Sequence, residues 1–114
     1  MTFPFFYDMQ DLRLYNARQG QYFFSPNTMR GFNSRAQSKD PYGGCVFVTS
    51  ESGWRGSDRR YTVRVMTEDG SIETWGDFRG YSRYDAHREA QWLGEQVQKG
   101  FLTFKDHKLY VEAK

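Results

Sequence analysis

Residues 60–78 read RYTVRVMTEDGSIETWGDF, and this stretch decides the fold. Its first half alternates between apolar and polar side chains, with Val63 and Val65 on one face and Arg64 on the other. That alternation is typical of a half-buried β-strand. Asp69-Gly70 follows, a dipeptide preferred at the centre of a two-residue hairpin turn. The remaining residues are rich in β-branched and aromatic side chains, so the stretch predicts an antiparallel hairpin.

The neighbouring sequence extends this hairpin on both sides. Residues 45–49 read CVFVT, a continuous apolar run that predicts a further, buried strand and hence a three-stranded meander. Residues 82–99 predict a helix, since Ser82 is a favoured N-cap and Asp85 at the third helical position gives a variant capping box. Small and apolar residues then recur at the spacing of a helix packed on a sheet: Ala86, Ala90, Leu93 and Val97.

An earlier helix and a closing hairpin are also predicted. The helix covers about residues 26–36, because Ser25 is a favoured N-cap and Pro26 suits the first helical position. The hairpin covers residues 101–111, where two apolar runs flank a polar turn.

Residues 1–21 form a poorly assigned N-terminal arm. Pro4 disfavours a central strand, so we interpret the arm as an edge strand or as a hydrophobic segment laid across the core. The sequence therefore predicts one α+β domain over residues 1–114. Its elements are a three-stranded antiparallel meander, two helices packed on it and a short C-terminal hairpin.

The composition indicates a folded intracellular protein. Aromatic residues make up 18% of the 114 residues, which is enough to build a compact core. The net charge of +2 is far from the excess typical of a non-specific DNA-coating protein. A single cysteine, Cys45, cannot form an internal disulfide, and neither a signal peptide nor a membrane span is indicated. We expect a cytoplasmic protein without membrane association.

Catalytic and metal-binding chemistry are not indicated. A nucleophilic enzyme needs a cysteine or serine beside a histidine base, but Cys45 opens an apolar strand, which is typical of a buried thiol. His87 falls in a predicted helix and His107 in a predicted turn, and the three residues have no zinc-site spacing. No glycine-rich phosphate loop is present. We expect no enzyme, no catalytic residue, no cofactor and no metal.

Arginine and aromatic residues are the candidates for a binding surface. Arginine binds phosphates and aromatic rings stack on bases, but the same side chains form the hot spots of protein interfaces. The near-neutral total charge favours a solvated face whose arginines are paired with nearby carboxylates over a nucleic-acid surface. The candidates for a protein partner are Arg30, Arg35, Trp54 and Arg55. The candidates for nucleic acid are Arg59, Arg60, Arg64, Arg79 and Arg83.

Residues 22–35 read YFFSPNTMRGFNSR. Together with residues 47–50, 59–64 and 76–78, this run resembles a family of small uncharacterised proteins of bacteriophages and related mobile elements. Those proteins carry an F-F-S-x-x-T-M-R-x-F-x-S-R motif followed by a strand-rich half. The resemblance covers about residues 22–95 and implies an origin and a size class, without a mechanism.

A second resemblance concerns the order of elements. A helix, three antiparallel strands and a helix is similar to the order in double-stranded-RNA-binding domains, and residues 80–87 are similar to the basic start of the last helix there. This resemblance implies that Arg83, Tyr84 and His87 face phosphates. The meander followed by a helix is also similar to AP2-type DNA-binding domains.

These observations lead to a functional hypothesis and two alternatives. We expect a small non-enzymatic phage accessory protein that binds a macromolecule in the host cytoplasm during infection, with a host protein as the preferred partner. The first alternative is a nucleic-acid-binding module that contacts phosphates through arginines. The second is a self-associating structural protein, because the sequence leaves the oligomeric state open.

Overall fold

The computed structural model describes residues 3–20, 40–52, 59–76 and 80–112. Within these ranges the chain forms, in order, α1 (Met9–Arg18), β1 (Val46–Ser52), β2 (Arg59–Met66), β3 (Ile72–Trp75), α2 (Arg83–Gln98), β4 (Leu102–Lys105) and β5 (Lys108–Val111). The predicted α+β architecture is confirmed: one sheet has the strand order β1-β2-β3, and β4 and β5 form a separate two-stranded hairpin. The predicted helix over residues 26–36 lies outside the described residues.

The three-stranded sheet is antiparallel throughout. Val48 pairs with Val63, and Val63 pairs in turn with Trp75. Side chains of paired residues point to the same face, so these positions form one apolar surface with Val46 and Val65. The four valines are completely buried. α2 packs on β1 and β2, and its inward residues Ala86, Ala90 and Leu93 join the same core cluster.

α2 begins and ends where the sequence predicts. Ser82 Oγ accepts a hydrogen bond from the Asp85 N–H at 3.3 Å. At the other end Gly100 has a φ of 79°, a left-handed conformation that glycine adopts without steric cost. The Phe101 N–H donates to the Gln96 carbonyl at 2.9 Å. The helix therefore closes in a Schellman-type C-cap.

The hairpin between β2 and β3 is confirmed, but the predicted two-residue turn is wrong. The Gly70 N–H donates to the Thr67 carbonyl at 3.1 Å, and the Thr67 N–H donates to the Ser71 carbonyl at 2.9 Å. The loop therefore has three residues, Glu68, Asp69 and Gly70. Gly70 has a φ of 83°, whereas Asp69 does not adopt a positive φ. This is a type I turn closed by a left-handed glycine.

A two-residue turn occurs instead in the C-terminal hairpin, whose two strands are confirmed. Lys105 pairs with Lys108, and the two residues between them, Asp106 and His107, have φ angles of 53° and 63°. Positive φ at both central residues is what a type I′ turn requires.

α1 is an element that the sequence analysis did not predict. Asp8 is its N-cap, with Oδ1 accepting from the Asp11 N–H at 2.8 Å. The Tyr15 hydroxyl donates to the Glu68 carbonyl, and Asn16 Nδ2 donates to the Gly70 carbonyl at 2.7 Å. α1 therefore holds the turn between β2 and β3.

The segment before α1 lies across the core, as one of the two interpretations of the arm proposed. The Phe6 N–H donates to the Gly44 carbonyl at 2.8 Å, and the side chains of Phe3 and Phe6 pack against the buried cluster. Met9 and Leu12 then enter the core itself.

Candidate functional site

The side of α2 that faces away from the sheet carries large exposed side chains. Tyr84 is 73% exposed and Trp92 is 41% exposed, and Arg88 and Gln91 are exposed with them. With 3.6 residues per turn, these positions lie opposite the buried stripe of Ala86, Ala90 and Leu93. We refer to Tyr84, Arg88, Gln91 and Trp92 as the outer face of α2.

A groove of about 540 Å³ runs along one flank of the outer face and is called the Trp92 groove. It is lined by Tyr81, Asp85, Arg88, Glu89 and Trp92. Trp75 Nε1 donates to Glu89 Oε1 at 2.9 Å, and the Trp75 and Trp92 rings lie 6.3 Å apart between centroids. Trp75 of β3 therefore contacts two residues that line this groove, and the groove contains both charge signs.

A second groove of about 510 Å³ lies on the other flank and is called the Tyr42 groove. It is lined by Tyr42, Arg83, Tyr84, His87, Arg88 and Gln91. The Tyr42 hydroxyl and His87 Nδ1 are hydrogen-bonded at 3.0 Å. Their rings meet edge to face, with centroids 6.1 Å apart. Two arginines thus stand beside a hydrogen-bonded aromatic pair.

Two glycines allow Tyr42 to reach α2. A Cβ placed on Gly94 would lie 2.7 Å from the Gly43 nitrogen and 2.7 Å from the Tyr42 carbonyl carbon. The loop and the helix backbones are therefore in direct contact, and only glycine fits. The loop is fixed from the strand side because the Tyr42 N–H donates to the Val46 carbonyl at 2.7 Å. Tyr42 is thereby placed beside His87.

Arg64, a candidate for nucleic-acid binding, is part of the sheet. Its Nε donates to Thr49 Oγ1 at 3.2 Å, and its Nη1 donates to Thr74 Oγ1. The half-buried guanidinium thus joins β1, β2 and β3. At least two of its five N–H donors therefore serve the fold.

Two further predicted arginines, Arg60 and Arg83, are described at the end of the sheet and at the start of α2. Both are exposed. A Cβ on Gly80 would lie 2.8 Å from the Arg60 Cβ, so Arg60 borders the segment that leads into α2 at Arg83.

Among the other predicted binding residues, Arg59 is the one that falls within the described ranges. Arg59 is described as part of β2, where it pairs with Ser52. The remaining candidates lie outside the described residues: Arg30, Arg35, Trp54, Arg55 and Arg79.

The sequence analysis did not identify the outer face of α2 as a surface. Arg83, Tyr84 and His87 were named, whereas Tyr42, Arg88 and Trp92 were not proposed as binding residues. A signal was present: Tyr84, Arg88 and Gln91 recur at helical spacing on the side opposite the apolar stripe. Tyr42 carries no such signal, because it reaches the groove only through the contact of two glycines.

The single cysteine, Cys45, belongs to the buried core and lines neither groove. Cys45 is completely buried, and burial raises the pKa of its thiol to about 12. The thiolate, the reactive form, is therefore scarce at neutral pH.

In the described ranges no three His, Cys, Asp or Glu side chains are grouped to hold a metal ion. A search of the same ranges for a helix long and apolar enough to cross a membrane found none.

These elements define a small α+β domain whose last long helix presents an arginine- and aromatic-rich face. Residues 8–91 match the family of unknown function DUF7447, and the chain belongs to this family. The matched region contains all the described residues that line the Tyr42 groove. No curated protein and no solved structure matched the chain.

Proposed function

We propose that this protein is a non-enzymatic binding module that recognises a partner protein through the outer face of α2. The observation that carries the proposal is the exposure of Tyr84 and Trp92 around Arg88, between two open grooves. Tyrosine, tryptophan and arginine are the residues most enriched at interface hot spots. Covering Tyr84 and Trp92 would remove apolar ring surface from water.

The charge pattern favours a protein over a nucleic acid. Asp85 and Glu89 line the Trp92 groove together with Arg88, and carboxylates repel a phosphate backbone. Arg64 uses donors inside the sheet. The total charge of +2 is also small for a surface whose affinity depends on phosphate neutralisation.

The buried thiol supports a non-enzymatic role. Cys45 has a raised pKa and no exposure to solvent, so it is a poor nucleophile. His87 is hydrogen-bonded to Tyr42, a pairing that orients both rings as part of a binding surface.

The setting that we propose is a phage accessory protein acting on a host protein in the host cytoplasm. Support for this setting comes from residues 22–35, whose sequence resembles that of small phage and mobile-element proteins.

The proposal is tested by affinity purification of the full chain from a bacterial host lysate, with identification of the retained proteins. We expect Tyr84→Ala and Trp92→Ala each to reduce retention of a specific protein by about tenfold or more, as for hot-spot residues. The matched controls replace exposed tyrosines outside α2: Tyr7→Ala, where the side chain is 81% exposed, and Tyr110→Ala, where it is 43% exposed. Equal retention by all four variants would contradict the proposal.

The alternative of a nucleic-acid-binding module is supported by one observation, the packing of Arg60 against Gly80, three residues before Arg83. Binding of oligonucleotides that weakens steeply with salt would favour it, because each phosphate contact releases counterions. Under this alternative Arg60→Gln and Arg83→Gln both reduce that salt dependence, whereas Tyr84→Ala affects binding through base stacking alone.

A further inference from the structure

The Asp69-Gly70 pair in the turn between β2 and β3 is chemically labile. A backbone nitrogen that follows an aspartate can attack the side-chain carboxyl group, because the succinimide ring that forms has little strain. Glycine at the second position has no side chain to hinder this attack. Asp69 is exposed, so water can reach such a ring and open it.

The reaction alters the backbone and needs no reagent except water. The Gly70 nitrogen forms a bond to Asp69 Cγ and loses its proton, while the bond from Cγ to the hydroxyl oxygen breaks and a water molecule leaves. Water then adds to one of the two carbonyl carbons of the ring. Addition at the main-chain carbonyl breaks its bond to nitrogen and gives isoaspartate, in which the backbone runs through Cγ and is longer by a methylene group.

The folded turn opposes both parts of this attack. The Gly70 N–H donates to the Thr67 carbonyl at 3.1 Å, and Gly70 is buried, so its proton is shielded from solvent base. Asp69 Oδ1 accepts hydrogen bonds from Thr67 Oγ1 and Ser71 Oγ. These bonds favour the ionised carboxylate, which is a poor electrophile. The pair therefore reacts when the turn opens, as a protected amide does in hydrogen exchange.

The same turn also holds α1. The Tyr15 hydroxyl donates to the Glu68 carbonyl, and Asn16 Nδ2 donates to the Gly70 carbonyl at 2.7 Å. The two accepting carbonyls lie on either side of Asp69 in the chain, so an added methylene group between them changes their separation and direction. At least one of the two hydrogen bonds to α1 is then lost.

We propose that Asp69 is a site of spontaneous covalent modification, where isoaspartate forms when the turn opens and weakens the attachment of α1 to the sheet. The rate of modification depends on how often the turn opens, and hence on the hydrogen bonds from Thr67 and Ser71. The proposal is independent of the proposed function, because no residue of the outer face of α2 takes part.

The test incubates the full chain at neutral pH, in native buffer and in concentrated guanidinium chloride. Proteolysis and mass spectrometry with electron-transfer fragmentation then measure isoaspartate against time. In guanidinium chloride we expect accumulation at Asp69, and slower accumulation at Asp106, which is followed by His107. In native buffer the rate at Asp69 is expected to be lower by about tenfold or more, because the closed turn does not react. Equal rates in both solvents, or no isoaspartate at Asp69 in guanidinium chloride, would overturn the proposal.

Variants assign the protection to the turn. Thr67→Ala and Ser71→Ala each remove a donor to Asp69 Oδ1, and each is expected to raise the native rate by about fivefold or more. Thr103→Ala, at a half-buried threonine of β4, is expected to leave the native rate unchanged. Circular dichroism verifies that each variant is folded. Equal rates for Thr67→Ala, Ser71→Ala and Thr103→Ala would overturn the protective role of the turn.

Hydrogen exchange tests the effect on α1. Chains that have isomerised during incubation are separated by ion-exchange chromatography and compared with unmodified chains in native buffer. We expect faster exchange of the amides of α1 and little change in α2, because the modified turn loses its hydrogen bonds to α1 alone. Identical exchange of α1 in the two forms would overturn the weakened attachment of this helix.

Discussion

Asp69 stabilises the turn between β2 and β3 through its side chain. Its Oδ1 accepts hydrogen bonds from the Ser71 N–H at 3.1 Å and from Ser71 Oγ at 2.8 Å, and Thr67 Oγ1 also donates to it. The hydrogen bonds from Thr67 and then Ser71 lower the pKa of Asp69. These bonds favour the three-residue loop over the two-residue turn that an Asp-Gly pair predicts.

The consequence is a pH-dependent contribution to stability. Because the pKa of Asp69 is lower in the folded state, its contribution is present above the unfolded value of about 3.9. It is lost as the pH falls through the folded value. We expect Asp69→Ala to lower the free energy of unfolding at pH 7 by about 1 kcal/mol, the usual size for lost hydrogen bonds. Urea unfolding between about pH 3 and pH 7 measures both effects.

An exposed carboxylate outside the turn provides the control for that experiment. Glu112→Gln is expected to leave the pH profile of the wild type unchanged, whereas the Asp69→Ala profile is flatter below about pH 5. Parallel profiles for wild type and Asp69→Ala would show that the turn hydrogen bonds do not stabilise the carboxylate.

At the scale of elements, the contact between Gly94 in α2 and Gly43 in the preceding loop determines the geometry of the Tyr42 groove. A Cβ on Gly94 would meet backbone atoms at 2.7 Å, and backbone atoms cannot rotate away as a flexible side chain can. The close approach is what brings the Tyr42 ring against His87.

Gly94→Ala tests this contact. Alanine in an open helix would stabilise the protein by up to about 1 kcal/mol. Here we expect a loss of about 1–3 kcal/mol in the free energy of unfolding, because the helix must move away from the loop. Glu95→Ala, at the next and exposed position, is expected to change stability by less than about 0.5 kcal/mol. A stabilising Gly94→Ala would contradict the close packing.

Much of the element order was predictable, for local physical reasons. The strands of the meander follow from alternation and β-branched residues, and α2 follows from Ser82, its apolar stripe and Gly100. α1 was missed because its buried side contains the polar Asn16 and its exposed side contains Leu14, which blurs the apolar stripe. Its Asp8 N-cap was the available signal.

The candidate site was less predictable than the fold. The sequence groups arginines by their distance along the chain, and so it placed Arg64 with Arg60 as phosphate ligands. In the folded protein Arg64 bonds to threonines of two neighbouring strands. Tyr42 and His87 are 45 residues apart in the chain, and no local sequence pattern predicts that they are in contact. A contact between residues this far apart in the chain can be recognised only in the folded structure.

At the scale of the whole molecule, the charges are arranged unequally although their sum is small. The net charge is +2, and among the described residues Arg88 lines both grooves, with Asp85 and Glu89 in the Trp92 groove and with Arg83 in the Tyr42 groove. Charge arrangement of this kind determines specificity more than total affinity.

The most direct test of binding at the outer face of α2 is an NMR titration of the ¹⁵N-labelled full chain with the protein retained in the affinity purification. We predict that the amide shifts concentrate in residues 83–92 and around Tyr42. Shifts concentrated in residues 59–64 of β2, or shifts spread evenly over the surface, would contradict binding at the outer face of α2.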